Sequence, residues 1–152
     1  MKIQSEIFND DSYNSHFQHW KFELSDFQKW SIKGIVDEKN VIITAHTGSG
    51  KTLPAEFAIQ HFFSKGKKVV YTTPIKALSN EKFNDLQNKY PDISFGILTG
   101  DIKFNPEADV IIMTTEILYN TLFQKKMLKK YVKSLSIILI IVYFLKFHLN
   151  FD

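Results

Sequence analysis

At 152 residues, with 44% hydrophobic side chains, the chain is long enough for one domain with a buried core. It has no cysteine, which excludes disulfides, thiolate metal sites and a cysteine nucleophile, and fits a reducing, intracellular setting. All 19 basic residues are lysine, so the net charge of +3 comes without one guanidinium, and it is too small to argue for a polyanionic partner by itself.

In chain order, residues 1–21 form a polar lead-in of uncertain order, with no apolar signal-peptide core. Residues 25–37 read as a helix whose apolar stripe holds Phe27, Trp30, Ile35 and Val36. The β-branched run 41–45 predicts a strand buried on both faces. Residues 52–64 follow as a helix, with Pro54 in the first turn and Gly66 at the end. A second buried strand is expected over 68–72. A helix over 78–90 has Ser79 as candidate N-cap and Pro91 just beyond. Strands over 93–98 and 110–114 and a helix over 115–124 complete the pattern. The alternation predicts an α/β fold, a parallel sheet with helices on both faces. The strongest apolar run, 134–145, is roughly 12 residues, short of the about 20 that a membrane span needs, so no membrane anchor is expected.

The predicted strand 41–45 runs into Ala45, His46, Thr47, Gly48, Ser49, Gly50, Lys51 and Thr52. This is a Walker A phosphate loop with Ala45 in place of its first glycine. Gly48 and Gly50 let backbone N–H groups turn inward around an anion. The following helix points its positive end at the same place. Lys51 reaches the β- and γ-phosphates of ATP, and Thr52 offers its hydroxyl to Mg²⁺. His46 is expected to contribute only its backbone.

A phosphate loop alone says NTPase. Upstream stands Phe22-Glu-Leu-Ser-Asp-Phe-Gln28; downstream come Tyr71-Thr-Thr-Pro-Ile-Lys-Ala-Leu-Ser-Asn80, Gly96-Ile-Leu-Thr-Gly-Asp101, Asn105-Pro-Glu-Ala-Asp109 and Ile112-Met-Thr-Thr-Glu-Ile-Leu118. In order and spacing these resemble the first RecA-like domain of superfamily-2 DExH-box RNA helicases of the superkiller (Ski-like) type, over residues 22 to about 124. The resemblance implies that Phe22 and Gln28 read adenine, the Gln amide offering donor and acceptor together. Ser25-x-x-Gln28 is equally a helix capping box. It further implies that Pro74, Lys76, Thr99, Gly100, Thr114 and Thr115 hold the backbone of a single RNA strand. Loops at the carboxyl ends of parallel strands suit such a task.

The division expected is a lead-in (1–21), an ATP-binding RecA-like P-loop domain (22–134) that is incomplete at its C-terminus, and an apolar tail (135–152) that leaves the family pattern. After Leu135 the family's Asp-Glu-x-His does not appear, and the reading frame or gene is expected to have been lost near 135–141. With no metal-holding Asp and no water-orienting Glu, the chain is expected to bind ATP without hydrolysing it. Three alternatives stand beside this: a non-enzymatic RNA- or partner-binding fragment, a different P-loop enzyme using Asp101 or Asp109, and a non-functional truncated product whose sheet does not fold stably.

Overall fold

The computed structural model describes residues 4–18, 20–123 and 139–141. The chain divides into two compact units, Met1–His61 and Phe62–Asp152. Among the described residues no helix is long and apolar enough to cross a membrane.

In the first unit residues 4–18 of the lead-in carry local structure. They form a 3-10 turn, Asp11–Tyr13, and a one-turn helix, α1 (Asn14–Phe17). Tyr13 of the turn donates its hydroxyl to Asp37 at the end of α2 (Asp26–Val36), and His16 of α1 meets the Phe57 ring edge-on. Phe8 packs edge-on to Trp30 and Phe17, with ring centroids 4.9 and 5.4 Å apart. The Trp30 indole donates to the Glu6 carbonyl at 2.9 Å, and the Phe8 N–H donates to Asp26 at 2.9 Å. The polar sequence hid this docking because backbone groups carry half of it.

Helix α2 starts where its capping box says it should. The Ser25 N–H donates to Gln28 Oε1 at 3.0 Å. Its inner side buries Ile32 and Ile35. Helix α3 (Thr52–Ser64) has Pro54 in its first turn, where a missing N–H costs nothing, and buries Ala55, Phe57, Ala58 and Ile59. It ends at Gly66, in the left-handed region at φ +68°, whose N–H donates to the Phe63 carbonyl at 2.8 Å.

The predicted strand 41–45 does not form. The segment is irregular, Ile42 is 80% exposed, and Val41 lies against Gly34 of α2. A β-branched run supplies only propensity; a strand exists when a neighbour takes its N–H and C=O groups. No described strand pairs with this run.

The second unit is a five-stranded sheet of order β3-β2-β4-β1-β5. Its strands are β1 (Val69–Thr73), β2 (Phe95–Leu98), β3 (Lys103–Phe104), β4 (Val110–Thr114) and β5 (Leu139–Ile141). All pairings are parallel except β2 with the short edge strand β3, which the sequence did not announce. Strands β1, β2 and β4 are buried throughout, as continuous apolar runs in a covered parallel sheet should be.

Helices α4 (Lys76–Lys89) and α5 (Thr115–Phe123) cover this sheet. Val70, Leu98, Ile111 and Met113 pack with Leu118 of α5. Thr73, of opposite parity to Val70, bonds Ser79 of α4 through their hydroxyls at 2.6 Å. Alternation along β1 therefore puts α4 and α5 on opposite faces. Ser79 is not the N-cap: α4 begins three residues earlier, with Ile75 at that position, and the fully buried Ser79 hydroxyl ties the helix to β1. Of the predicted tail 135–152, only 139–141 belongs to the described residues.

Candidate functional site

The phosphate loop lies in the first unit and takes its shape from two glycines. Gly48 and Gly50 have φ of +84° and +82°. A Cβ at Gly48 would meet nothing within 4 Å, so the backbone there borders open space. The turn is closed by Ser49, whose N–H and hydroxyl both donate to the His46 carbonyl, at 3.3 and 2.8 Å. Lys51 folds back over the loop, donating to the Ala45 carbonyl at 2.6 Å and to that of His46. Those carbonyls hold the ammonium beside the start of α3, whose first N–H groups have no partner within the helix. An anion arriving there meets a cation, a helix end and an open glycine backbone together. Thr52 is the first residue of α3, with its hydroxyl at the same end. Thr47 is exposed, and His46 is exposed with Nδ1 2.9 Å from the Thr47 carbonyl, so its ring is bound to the loop itself.

Gln28 joins this loop. It is buried, its Oε1 accepts from Ser25, and its Nε2 donates to the Gly50 carbonyl at 3.2 Å. The capping box and the bond to the loop coexist here. A side-chain amide has two donors and two acceptor positions, and each end has one in use. Phe22, four residues before the first turn of α2, is 59% exposed and offers a ring face.

A second cluster occupies the carboxyl ends of β1, β2 and β4 in the second unit. Pro74 and Lys76 follow β1, Gly100 follows β2 and Thr115 follows β4, and all four are exposed. Thr99 and Thr114 are buried, and their hydroxyls build the loops. Thr99 donates to Asp101 at 2.9 Å and accepts from the Ile102 N–H at 3.2 Å. Thr114 accepts from the Ile117 N–H at 3.4 Å, capping α5. The Thr115 hydroxyl donates to the Thr73 carbonyl at 3.2 Å, tying the β4 loop to the β1 loop.

Sequence reasoning left Asp101 without a partner, yet its Oδ1 lies 3.0 Å from Lys76 Nζ. Lys76 and Thr99 together hold this carboxyl below its ordinary range. No spacing rule reveals the pair, because only the sheet order brings the two loops together. Asp109 sits at the other end of β4, where its carboxylate accepts from the N–H and hydroxyl of Ser94 and its own N–H donates to the Ser94 hydroxyl at 2.9 Å. Both carboxylates are engaged in local structure.

The DEAD/DEAH box helicase family profile matches residues 25–142. Antiviral helicase SKI2 of Saccharomyces cerevisiae is 45% identical over 105 residues, 69% of this chain and 8% of that protein. Superkiller complex protein 2 of Homo sapiens is 46% identical over 104 residues, 68% of this chain and 8% of its own length. ATP-dependent RNA helicase mtr4 of Schizosaccharomyces pombe is 42% identical over 105 residues, again 69% of the chain and 9% of the relative. The chain thus spans about a tenth or less of these relatives. Among solved structures, a hypothetical ATP-dependent RNA helicase from Sulfolobus tokodaii matches with a TM-score of 0.58 at 21% identity, covering 86% of this chain and 41% of that one; this similarity concerns the fold. With well over half of its residues inside the family profile, the chain belongs to the DEAD/DEAH box helicase family, of which it carries the ATP-binding, RecA-like part.

Proposed function

We propose that this chain binds ATP with Mg²⁺ on its phosphate loop and a single-stranded RNA backbone on the loops after β1, β2 and β4, and that by itself it neither hydrolyses ATP nor unwinds RNA. The observation that carries the nucleotide reading is the doubly left-handed loop of Gly48 and Gly50, open at Gly48, with Lys51 folded over it. Lys51 would hold the β- and γ-phosphates, Thr52 would hold Mg²⁺, and Gln28 with Phe22 would take the base. Bound Mg²⁺ would supply charge neutralisation on the phosphates.

The RNA reading rests on the exposure of Pro74, Lys76, Gly100 and Thr115 at the strand ends, and on the similarity to mtr4 of Schizosaccharomyces pombe, which is named an ATP-dependent RNA helicase. Thr99 and Thr114 support that surface from beneath. The absence of turnover rests on the sequence: residues 135–152 hold no Asp-Glu pair, and the chain has no arginine. An arginine finger alone is worth about 10³–10⁵ in rate.

The test is equilibrium binding of a fluorescent ADP analogue to the purified chain beside Lys51→Ala. Saturable binding that the variant loses supports the reading. A folded wild-type chain that binds no nucleotide refutes it.

A further inference from the structure

One charge arrangement in the RNA-facing loops is not used by backbone binding. Lys76 occupies the first position of α4, and the residue before it, Ile75, has no side chain to cap the free N–H groups. A cation at that end of a helix is repelled by the helix dipole. The position calls for a compensating anion, and Asp101 supplies it at 3.0 Å.

Asp101 is not a loose surface group. The oxygen that meets Lys76 also accepts the Thr99 hydroxyl. Thr99 is buried, and its N–H donates to the Ile102 carbonyl at 2.8 Å, closing the turn that presents the carboxylate. The Lys76 side chain passes over Gly100, where a Cβ would stand 3.5 Å from both Cε and Nζ. The lysine therefore has a defined path ending on a fixed carboxylate. Both ends of the pair are more than half exposed, so an outside anion has access to it.

We propose that Asp101 is an intramolecular stand-in for phosphate: in the free domain its carboxylate occupies Lys76, and an RNA phosphate binds there by displacing it. Asp101 then sets the affinity and salt dependence of the RNA surface. The inference rests on the reading of these loops as an RNA site. A carboxylate and a phosphodiester both bring one negative charge and oxygen acceptors to an ammonium, so they compete for it directly.

The experiment is fluorescence-anisotropy titration of a uridine oligoribonucleotide at several salt concentrations with wild type, Asp101→Asn, Lys76→Ala and the double variant. Asn keeps an oxygen for the Thr99 hydroxyl and removes the charge; thermal melts establish that each variant is folded. Asp101→Asn is expected to bind RNA about two- to five-fold more tightly, the range set by an exposed ion pair. Its salt slope should steepen by up to about 0.7, the value for one more phosphate neutralised on a single strand. The gain should vanish when Lys76 is Ala. A gain that persists without Lys76 would show a general charge effect and overturn the proposal, as would unchanged or weaker binding by Asp101→Asn. If folded wild type binds and Lys76→Ala binds equally well, Lys76 is no contact and the proposal falls while an RNA surface stands. If no protein binds RNA even at low salt, the RNA reading falls and takes the proposal with it.

Discussion

Gln28 and Gly50 are tied across 22 residues of sequence by a hydrogen bond from the Gln28 amide to the Gly50 carbonyl. The bond joins the start of α2 to the phosphate loop, so the part proposed to read the base and the part proposed to hold the phosphates are set by one contact. Gly50 cannot be replaced without breaking it. At φ +82° a side chain is strained, at a cost of about 1–3 kcal/mol, and a Cβ would stand 2.6 Å from Gln28 Nε2. Gly50→Ala is expected to weaken ADP-analogue binding about tenfold or more, equivalent to about 1.4 kcal/mol. Gly48→Ala is the contrasting variant: its φ is equally strained, but its Cβ meets nothing. If the Gln28 contact matters, Gly50→Ala also loses preference for adenine over guanine nucleotides, and Gly48→Ala keeps it.

A similar close approach fixes the sheet edge. A Cβ on Gly96 would fall 2.1 Å from the Asn105 carbonyl oxygen, a backbone atom that cannot swing aside. Asn105 itself is held at φ +44°, with its side-chain amide donating to the Phe95 carbonyl at 3.2 Å. Gly96→Ala must push β3 and its turn off β2. We expect a loss of about 1–3 kcal/mol or more, the usual cost of overpacking a tight site, read by urea denaturation with circular dichroism. Unchanged stability would mean that the β3 turn yields freely.

How much of this was legible in the sequence depends on the range of the forces involved. Helices α2 and α3 were readable because their signals are local: the Ser25/Gln28 box, Pro54 in a first turn, Gly66 at an end. The buried strands β1 and β4 were readable as apolar runs of strand length. The run at 41–45 looked the same and formed no strand, since pairing is decided by a partner that the run does not encode. Ser79 misled because a serine near a helix start looks like a cap, while its hydroxyl in fact meets Thr73 on the sheet. In the candidate site, glycine spacing marked the two left-handed positions, Gly48 and Gly50, directly. The Lys76–Asp101 pair and the Gln28–Gly50 bond needed tertiary geometry.

Catalysis is expected to be absent for a reason separable from folding. Phosphoryl transfer in phosphate-loop proteins relies on positioned charge around the γ-phosphate. This chain offers Lys51 and Thr52, while Asp101 is paired with Lys76 and Asp109 is held by Ser94. Phosphate release by the purified 152-residue chain, with or without RNA, should equal that of Lys51→Ala. Turnover in the wild type that the Lys51 variant abolishes would show that another carboxylate in this chain serves the reaction.

The docking of the lead-in should respond to acid. Asp37 accepts from the Tyr13 hydroxyl at 2.5 Å and lies 3.7 Å from Lys33; Asp10 accepts from Ser12 and lies 3.1 Å from the same ammonium. Lys33 also sits over the Tyr13 ring, 3.9 Å from its centroid. The Tyr13 bond and then Lys33 hold the Asp37 carboxyl below its ordinary range, and Ser12 and then Lys33 do the same for Asp10. Lys33 is shifted upward, chiefly by Tyr13, and stays cationic throughout the acid range. A carboxylate with a depressed folded pKa contributes stability that is complete above its unfolded value and is lost as pH falls through the folded one. The contribution should therefore be whole at neutral pH and vanish below the usual carboxylate range, about 4. Both tryptophans, Trp20 and Trp30, lie in the first unit, so their fluorescence follows this unit during melting. Asp37→Asn should lower the fluorescence-detected Tm at pH 7, and the gap to wild type should close towards pH 3. A gap that stays constant over that range would show that the Asp37 charge contributes nothing and that only the shape of the side chain matters.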